Sequence, residues 1–260
     1  MNRTDRRRIL KAGLGLACAP MLGGLAACSK PAAKLALEAL GERIGLINSA
    51  PGNVLVLQGA DGVLLVDSGS AELARSVQAT LEGARVRTLI NTHYHPDQSG
   101  GNALFGAEGA EIHAHVITRQ WLSADYYVPA EDRWVAALPQ PGRPTQSFRD
   151  RMELDFDGES IECGYLLEAH TRGDSYVFFR DSNVLAVGDV ASPQRDPALD
   201  WYAGGWLGGR VDAMDDLLEL ANDSTRIVPA YGPVMTRAQL QAERDMMLHL
   251  YERTTLLTTQ

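Results

Sequence analysis

Short apolar runs recur along the chain at Val54 to Leu57, Val63 to Val66, Thr88 to Asn91, Glu111 to His115, Tyr176 to Phe179, Val184 to Val187 and Ile227 to Pro229. Their lengths and content predict β-strands, and a longer strand is expected from Ile161 to Ala169. Elsewhere the period lengthens. Val211, Met214, Leu218 and Ala221 fall on one face of a helix over 211–221, and a last helix is expected to start at Thr236, where Thr236 and Gln239 can form a capping box. Strands alternating with helical patterns make this an α/β chain. Periodicity alone does not separate it from any other layered α/β domain, and no repeat of solenoid length is visible.

The densest chemistry sits at the end of one strand, in Thr92-His93-Tyr94-His95-Pro96-Asp97-Gln98. Two histidines one residue apart point the same way from an extended segment, so both rings can reach one ion, with a carboxylate two residues on. Two further candidates follow strand-like runs: His170 in Ala169-His170-Thr171-Arg172-Gly173-Asp174-Ser175, and Asp189 in Gly188-Asp189-Val190. His113 and His115 repeat the spacing but lack a neighbouring carboxylate motif, and His249 lies on the last helix, so structural or surface roles are expected for these three.

These motifs, in this order, resemble the metallo-β-lactamase superfamily. The pattern THxHxDH is matched at His93, His95 and Asp97, a GHTxGD-like turn at His170 to Asp174, and the strand-terminal GD at Asp189; Leu64 to Gly69 is similar to the early strand ending in DxG. The resemblance runs from about residue 40 to about residue 250. It implies an αββα sandwich with the metal site at one edge. It also implies a hydrolase whose first ion is held by His93, His95 and His170, with Asp189 reaching over. Asp67, at the DxG position, is expected to order the surrounding loops by hydrogen bonds.

The second metal position departs from the family. Gln98 stands where the last His of THxHxDH belongs, and Tyr231 stands where PxHGP has its His, in Pro229-Ala230-Tyr231-Gly232-Pro233. By resemblance that site retains Asp97 and Asp189 with an amide and a phenol. A neutral amide oxygen is a weak ligand, and a phenol with a pKa of about 10 binds well only after losing its proton. One zinc ion is therefore expected, with the second site weak or empty. Asp97 would orient the attacking water or shuttle its proton, and Tyr231 would donate to the oxyanion or pack structurally. The substrate class stays open among small esters, thioesters, lactones and amides. The competing expectation is a degenerate member that binds a small molecule or partner without turnover. An oxygen-rich site holding iron for redox chemistry is a third.

The amino terminus bears on location. Asp5-Arg6-Arg7-Arg8-Ile9-Leu10-Lys11 resembles a twin-arginine export signal and precedes a Gly/Ala-rich apolar stretch from Ala12 to Ala27, too short and glycine-rich to read as a membrane span. Leu25-Ala26-Ala27-Cys28 looks like a lipobox, with Cys28 as the lipidated first residue of the mature protein. The expected organisation is a signal peptide over 1–27, a tether over 28–40 and one domain over 41–260. A periplasmic protein anchored through lipid follows, and Ser29 after the cysteine points by analogy to the outer membrane.

Residues 1–27 hold five of the 24 Lys and Arg and one of the 33 Asp and Glu, leaving 19 basic against 32 acidic side chains and a net charge of about −13 with His neutral. With no basic cluster interleaved with aromatics, nucleic acid is excluded as an expected partner. Of three cysteines, Cys18 and Cys28 fall in the leader and lipobox, so Cys163 remains alone and no disulfide is expected in the mature domain. Two aromatic segments frame the candidate site. Residues 121–147 carry Trp121, Tyr126, Tyr127 and Trp134 before a proline-rich end, as in a lid or insert. Pro193 to Gly209 carries Trp201, Tyr202 and Trp206, which line a pocket on one reading and plug the core on the other.

Overall fold

The computed structural model describes residues 32–48, 52–193 and 198–258. The expected signal segment, Cys18, Cys28 and the first part of the tether lie outside the described residues. A seven-stranded sheet begins with β1 (Leu37–Ala39), β2 (Ile44–Asn48), β3 (Asn53–Gln58) and β4 (Val63–Val66), paired antiparallel in sequence order. It continues with β5 (Val86–Asn91) and β6 (Glu111–His115), each parallel to its predecessor. A two-stranded hairpin of β7 (Tyr126–Val128) and β8 (Arg133–Val135) then stands apart before β9 (Gln146–Phe148) returns to lie parallel to β6.

The second sheet has five strands: β10 (Arg151–Phe156), β11 (Glu159–Tyr165), β12 (Ser175–Phe179), β13 (Val184–Gly188) and β14 (Arg226–Pro229), antiparallel except for the parallel pair β13 and β14. Alternation along single strands shows how the layers stack. Leu64 and Val66 of β4 face a core shared with Val177 and Phe179 of β12 and with Ala186 of β13, between the sheets. Their neighbours Val63 and Leu65 face the opposite way, onto Val77 of α1 (Ala74–Thr80) and Phe105, which lies in a short helix over residues 102–107.

The second sheet is covered in the same manner. Leu185 and Val187 of β13 turn outward onto Met214, Leu217 and Leu218 of one long helix (residues 207–220) and Leu240 and Met247 of another (residues 237–258). Strands buried on both faces need apolar side chains at consecutive positions, which is why β4 reads Val-Leu-Leu-Val without a polar break. Each such side chain contributes about 1.5–3 kcal/mol on burial. The result is the α/β architecture expected, an αββα sandwich.

The structure refines several boundaries. The helix expected over 211–221 begins earlier, at Leu207, because Trp206 in an extended conformation starts it ahead of the periodic apolar residues. The last helix spans Arg237–Thr258 behind the expected capping box: Thr236 N–H donates to Gln239 Oε1 at 2.8 Å and Gln239 N–H to Thr236 Oγ1 at 3.3 Å. The strand expected from Ile161 to Ala169 stops at Tyr165, since Leu166 N–H turns to the Asp174 carbonyl and the chain folds into the loop that presents His170. Residues 37–39, at the end of the expected tether, pair with β2 as an edge strand, and Leu40 is buried in the inter-sheet core.

Candidate metal centre

Two strand ends from each sheet build the site. β5 lies between β4 and β6, and the chain leaves it at Asn91 straight into Thr92 and His93. Asp67, just past β4 and in the left-handed region at φ 60°, accepts from Thr92 N–H at 2.9 Å and Thr92 Oγ1–H at 2.7 Å. That pins the loop as the sequence led one to expect of Asp67. A helical turn, Pro96–Ser99, begins immediately after His95, so His93 and His95 are held between a strand end and a helix start.

From the second sheet, His170 sits in a turn closed by Asp174, which accepts from Thr171 N–H at 2.6 Å and Thr171 Oγ1–H at 2.7 Å. Asp189 follows β13 directly. Gly188 before it has φ 57°, and a Cβ there would stand 2.9 Å from Thr92 Oγ1, so the close approach of β13 to Thr92 requires glycine. Ser192 Oγ–H donates to Asp189 Oδ1 at 3.0 Å and aims the other oxygen inward.

The four side chains converge: one ligand atom each from His93, His95, His170 and Asp189 lies within 4.8 Å of all the others. Asp189 Oδ2 is 3.8 Å from His93 Nε2 and 3.6 Å from His170 Nε2, and His170 Nε2 is 3.2 Å from His95 Nδ1. The far nitrogen of each ring has a partner. His93 Nδ1 is 3.1 Å from Thr92 Oγ1, whose own hydrogen is committed to Asp67; His170 Nδ1 is 2.9 Å from the Ala198 carbonyl; His95 Nε2 is 2.9 Å from Asp200 Oδ2. Acceptors on the outside put each ring's hydrogen there, leaving three lone pairs directed at one point.

Lone pairs facing one another at 3.2 Å repel unless a proton or a metal cation lies between them, and the buried Nε2 of His93 has no hydrogen-bond partner among the described residues. Both features fit a metal ion held by three imidazoles and a carboxylate, the donor set of a zinc site with an open position. Burial and the neighbouring imidazoles push His93 well below its usual pKa, and burial, partly offset by the Asp189 charge, takes His170 to about 4. Both rings are therefore neutral and ready to coordinate at pH 7. For His95 the burial effect is outweighed by the Asp200 hydrogen bond and charge, and its pKa rises.

Asp97 is outside this converging set. It is half-buried at the rim, where it lines a cavity and its charge reaches both Asp67 and His95. Gln98 is fully buried and faces Gly52, with neither amide atom hydrogen-bonded among the described residues. Tyr231 is half-exposed in the loop after β14, whose backbone is fixed by Asn53 Nδ2–H donating to the Pro229 and Gly232 carbonyls at 2.8 and 3.0 Å.

No sequence motif marks Asp200 or Arg210 as supports of the site, and Thr92, although it belongs to THxHxDH, carries no sign of its bond to Asp67. Asp200 accepts from both Tyr94 O–H and His95; burial alone would raise its carboxyl, but those hydrogen bonds hold it at about 2. Arg210 is fully buried, donating to the Val190 carbonyl at 2.7 Å and the Ala198 carbonyl at 2.9 Å, with Glu243 beside it at 3.7 Å. An arginine behind two glycines on a helix face carries no signal of burial, and Asp200 lies 105 residues from His95.

His115 stacks on Tyr165 at 4.1 Å and its Nε2 meets the Arg149 carbonyl at 2.8 Å, His113 sits 3.2 Å from Glu111, and His249 is exposed, all away from the metal cluster. Cys163 is a buried free thiol in the inter-sheet core. Trp201, Tyr202 and Trp206 are 71%, 48% and 44% exposed, so they are neither core plugs nor walls of the cavity beside Asp97.

The sequence signature of the metallo-beta-lactamase superfamily matches residues 48–230. The chain belongs to that superfamily. A curated relative, the 2,4-dinitroanisole O-demethylase subunit alpha of Nocardioides sp. (strain JS1661), is 27% identical over 175 residues, covering 64% of this chain and 49% of the relative. The chain thus spans about half the length of that relative. Among solved structures, the metallo-beta-lactamase from Pontibacter korlensis superposes with a TM-score of 0.69 at 18% identity, over 83% of this chain and 99% of the other. The DIM-1 metallo-beta-lactamase gives 0.65 at 17% identity, over 84% and 98%.

Proposed function

We propose that the protein is a metal-dependent hydrolase that works through one ion, most simply zinc, held by His93, His95, His170 and Asp189. The observation that carries this reading is the set of three imidazoles with outer nitrogens anchored and inner nitrogens turned toward one another, converging with Asp189 within 4.8 Å. A bound ion supplies Lewis-acid polarisation of the substrate carbonyl and brings the pKa of water toward neutrality. The chain supplies the rest. Asp97, at the rim, orients the attacking water and takes its proton, and Tyr231 donates a hydrogen bond to the developing oxyanion, standing in for the charge of a second ion. Gln98, with a neutral amide turned toward Gly52, favours a single ion.

The substrates in this reading are small esters, thioesters, lactones or amide-type compounds, and the name of the curated relative adds 2,4-dinitroanisole to the compounds worth testing. The mature protein would begin at Cys28 and act in the periplasm on a lipid anchor, in the outer membrane by the analogy of Ser29. Nucleic acid is not a partner in this reading, and no helix among the described residues is long and apolar enough to cross a membrane.

The test is elemental analysis of the soluble mature chain together with an ester and thioester panel, run on the natural sequence and on His95→Ala. One ion per chain and turnover abolished in the variant are expected. Metal-free protein with no difference between the two would leave a binding protein without turnover, and tightly bound iron with a phenolate absorption band would replace hydrolysis by redox chemistry.

A further inference from the structure

A cavity of about 350 Å³ opens beside Asp97, walled by Tyr94, Trp121, Leu122, Tyr126, Val135 and Leu138. One side is built by the segment between the two histidine motifs, from the helix over residues 116–123, the β7–β8 hairpin and the chain leading away from it, and the other by residues 70–72 and by the first histidine motif with the turn after it. The aromatic walls are mutually fixed. Tyr94 stacks on Trp121 at 4.8 Å, and Tyr126 meets Tyr94 edge-on at 5.3 Å and Trp121 at 5.1 Å. Tyr94 also ties the cavity to the metal cluster, since its ring lies 4.6 Å from that of His95 and its hydroxyl donates to Asp200, which in turn holds His95.

We infer that this cavity is the binding site for an uncharged, aryl-bearing acyl group of the substrate. The inference deepens the proposed hydrolase and rests on that reading for the position of the reacting bond. Size and chemistry point the same way. A cavity of about 150 Å³ accepts benzene, so this one has room for a substituted or fused ring. Planar walls favour a planar guest through offset and edge-on contacts. Its charged edge is acidic, formed by Asp97 and Glu72, and no Lys or Arg lines it among the described residues. An anionic ring substituent would meet repulsion with no cation to offset it. An occupant with its ring against Trp121 would present its polar end to Asp97, whose charge already reaches His95.

The experiment uses zinc-loaded protein and three methyl thioesters that share one leaving group: S-methyl thioacetate, S-methyl 3-phenylpropanethioate and the 4-carboxyphenyl analogue of the latter. The phenyl compound is expected to exceed the acetyl compound in kcat/KM by about ten-fold or more, as its buried area implies, with the carboxylate erasing the gain. Trp121→Ala is expected to collapse the phenyl-to-acetyl ratio toward one. Val135→Arg, on the half-buried hairpin wall, is expected to shift preference toward the carboxyphenyl compound, which keeps the idea testable should the first variant misfold. Binding of 1-naphthalenemethanol, followed calorimetrically, gives a readout without turnover: it is expected to weaken about ten-fold in Trp121→Ala and to be unaltered in Trp134→Ala.

Turnover without acyl preference, or naphthalenemethanol affinity equal in all three proteins, overturns the cavity assignment and leaves the hydrolase standing. Trp121-dependent binding with no turnover of any thioester supports the cavity while defeating the hydrolase.

Discussion

Asp200 Oδ2 lies 2.9 Å from Nε2 of His95, and this contact decides which face of the imidazole is free. With its hydrogen on Nε2, the ring offers Nδ1 to the point where His93, His170 and Asp189 meet. Asp200→Asn preserves shape but removes the charge that fixes this tautomer. Metal affinity is expected to fall about 10–100-fold. Competition with a chromophoric chelator measures it, with circular dichroism as the control for folding.

Loss of one inner nitrogen should be felt in both loading and stability. His170→Ala is expected to retain the sandwich but lose stoichiometric metal. In the natural sequence, free zinc at 100 times its dissociation constant is expected to stabilise the fold by about 2.7 kcal/mol, an increment that should disappear in the variant. Thermal unfolding with and without added zinc reads the difference.

Tyr231→Phe separates metal binding from chemistry. On the proposed oxyanion role, removing the phenol is expected to leave the metal content at the natural value and to lower kcat by about 100-fold. Elemental analysis alongside steady-state kinetics on a thioester makes the comparison; unchanged kcat would reduce Tyr231 to a packing residue.

Arg210 and Glu243 form a buried pair behind the site, with the guanidinium bridging the Val190 and Ala198 carbonyls. Arg210→Ala strands Glu243 and frees both carbonyls. A loss of about 3–5 kcal/mol is expected in denaturant unfolding. Because Ala198 also holds His170, weaker metal binding should accompany it.

Burial against Tyr165 keeps the His115 imidazole below its usual pKa. The unfolded chain takes up this proton at about 6.5 and the folded chain only at lower pH. The contribution of the neutral ring is therefore complete above pH of about 6.5 and is lost as pH falls through the folded value. Urea unfolding between pH 7 and pH 5 is expected to show a shallower decline in His115→Gln than in the natural sequence.

The layered fold and the four converging residues were legible because each depends on local order: apolar runs at β4 and β13 and short motifs at their ends. His93 and His95 are two residues apart, and Gly188 announces Asp189. What supports them was not legible. Asp200 reaches His95 from 105 residues along the chain, and Arg210 reads as an ordinary helix-face cation until Val190 and Ala198 close over it. The aromatic loops divided in a way the sequence could not specify. Trp121 and Tyr126 turn inward around a void, whereas Trp201 and Trp134 point to solvent, since aromatic content alone does not encode direction.

His93 and His95 hang from one sheet, His170 and Asp189 from the other, and Ser175 N–H donating to the Thr92 carbonyl at 2.9 Å stitches the two edges beside them. During synthesis, a ribosome that has released the chain only through β9 has delivered half of the coordination sphere. Capture of the cation must then await the carboxy-terminal half, making metallation a late checkpoint on completed assembly rather than a nucleus for it.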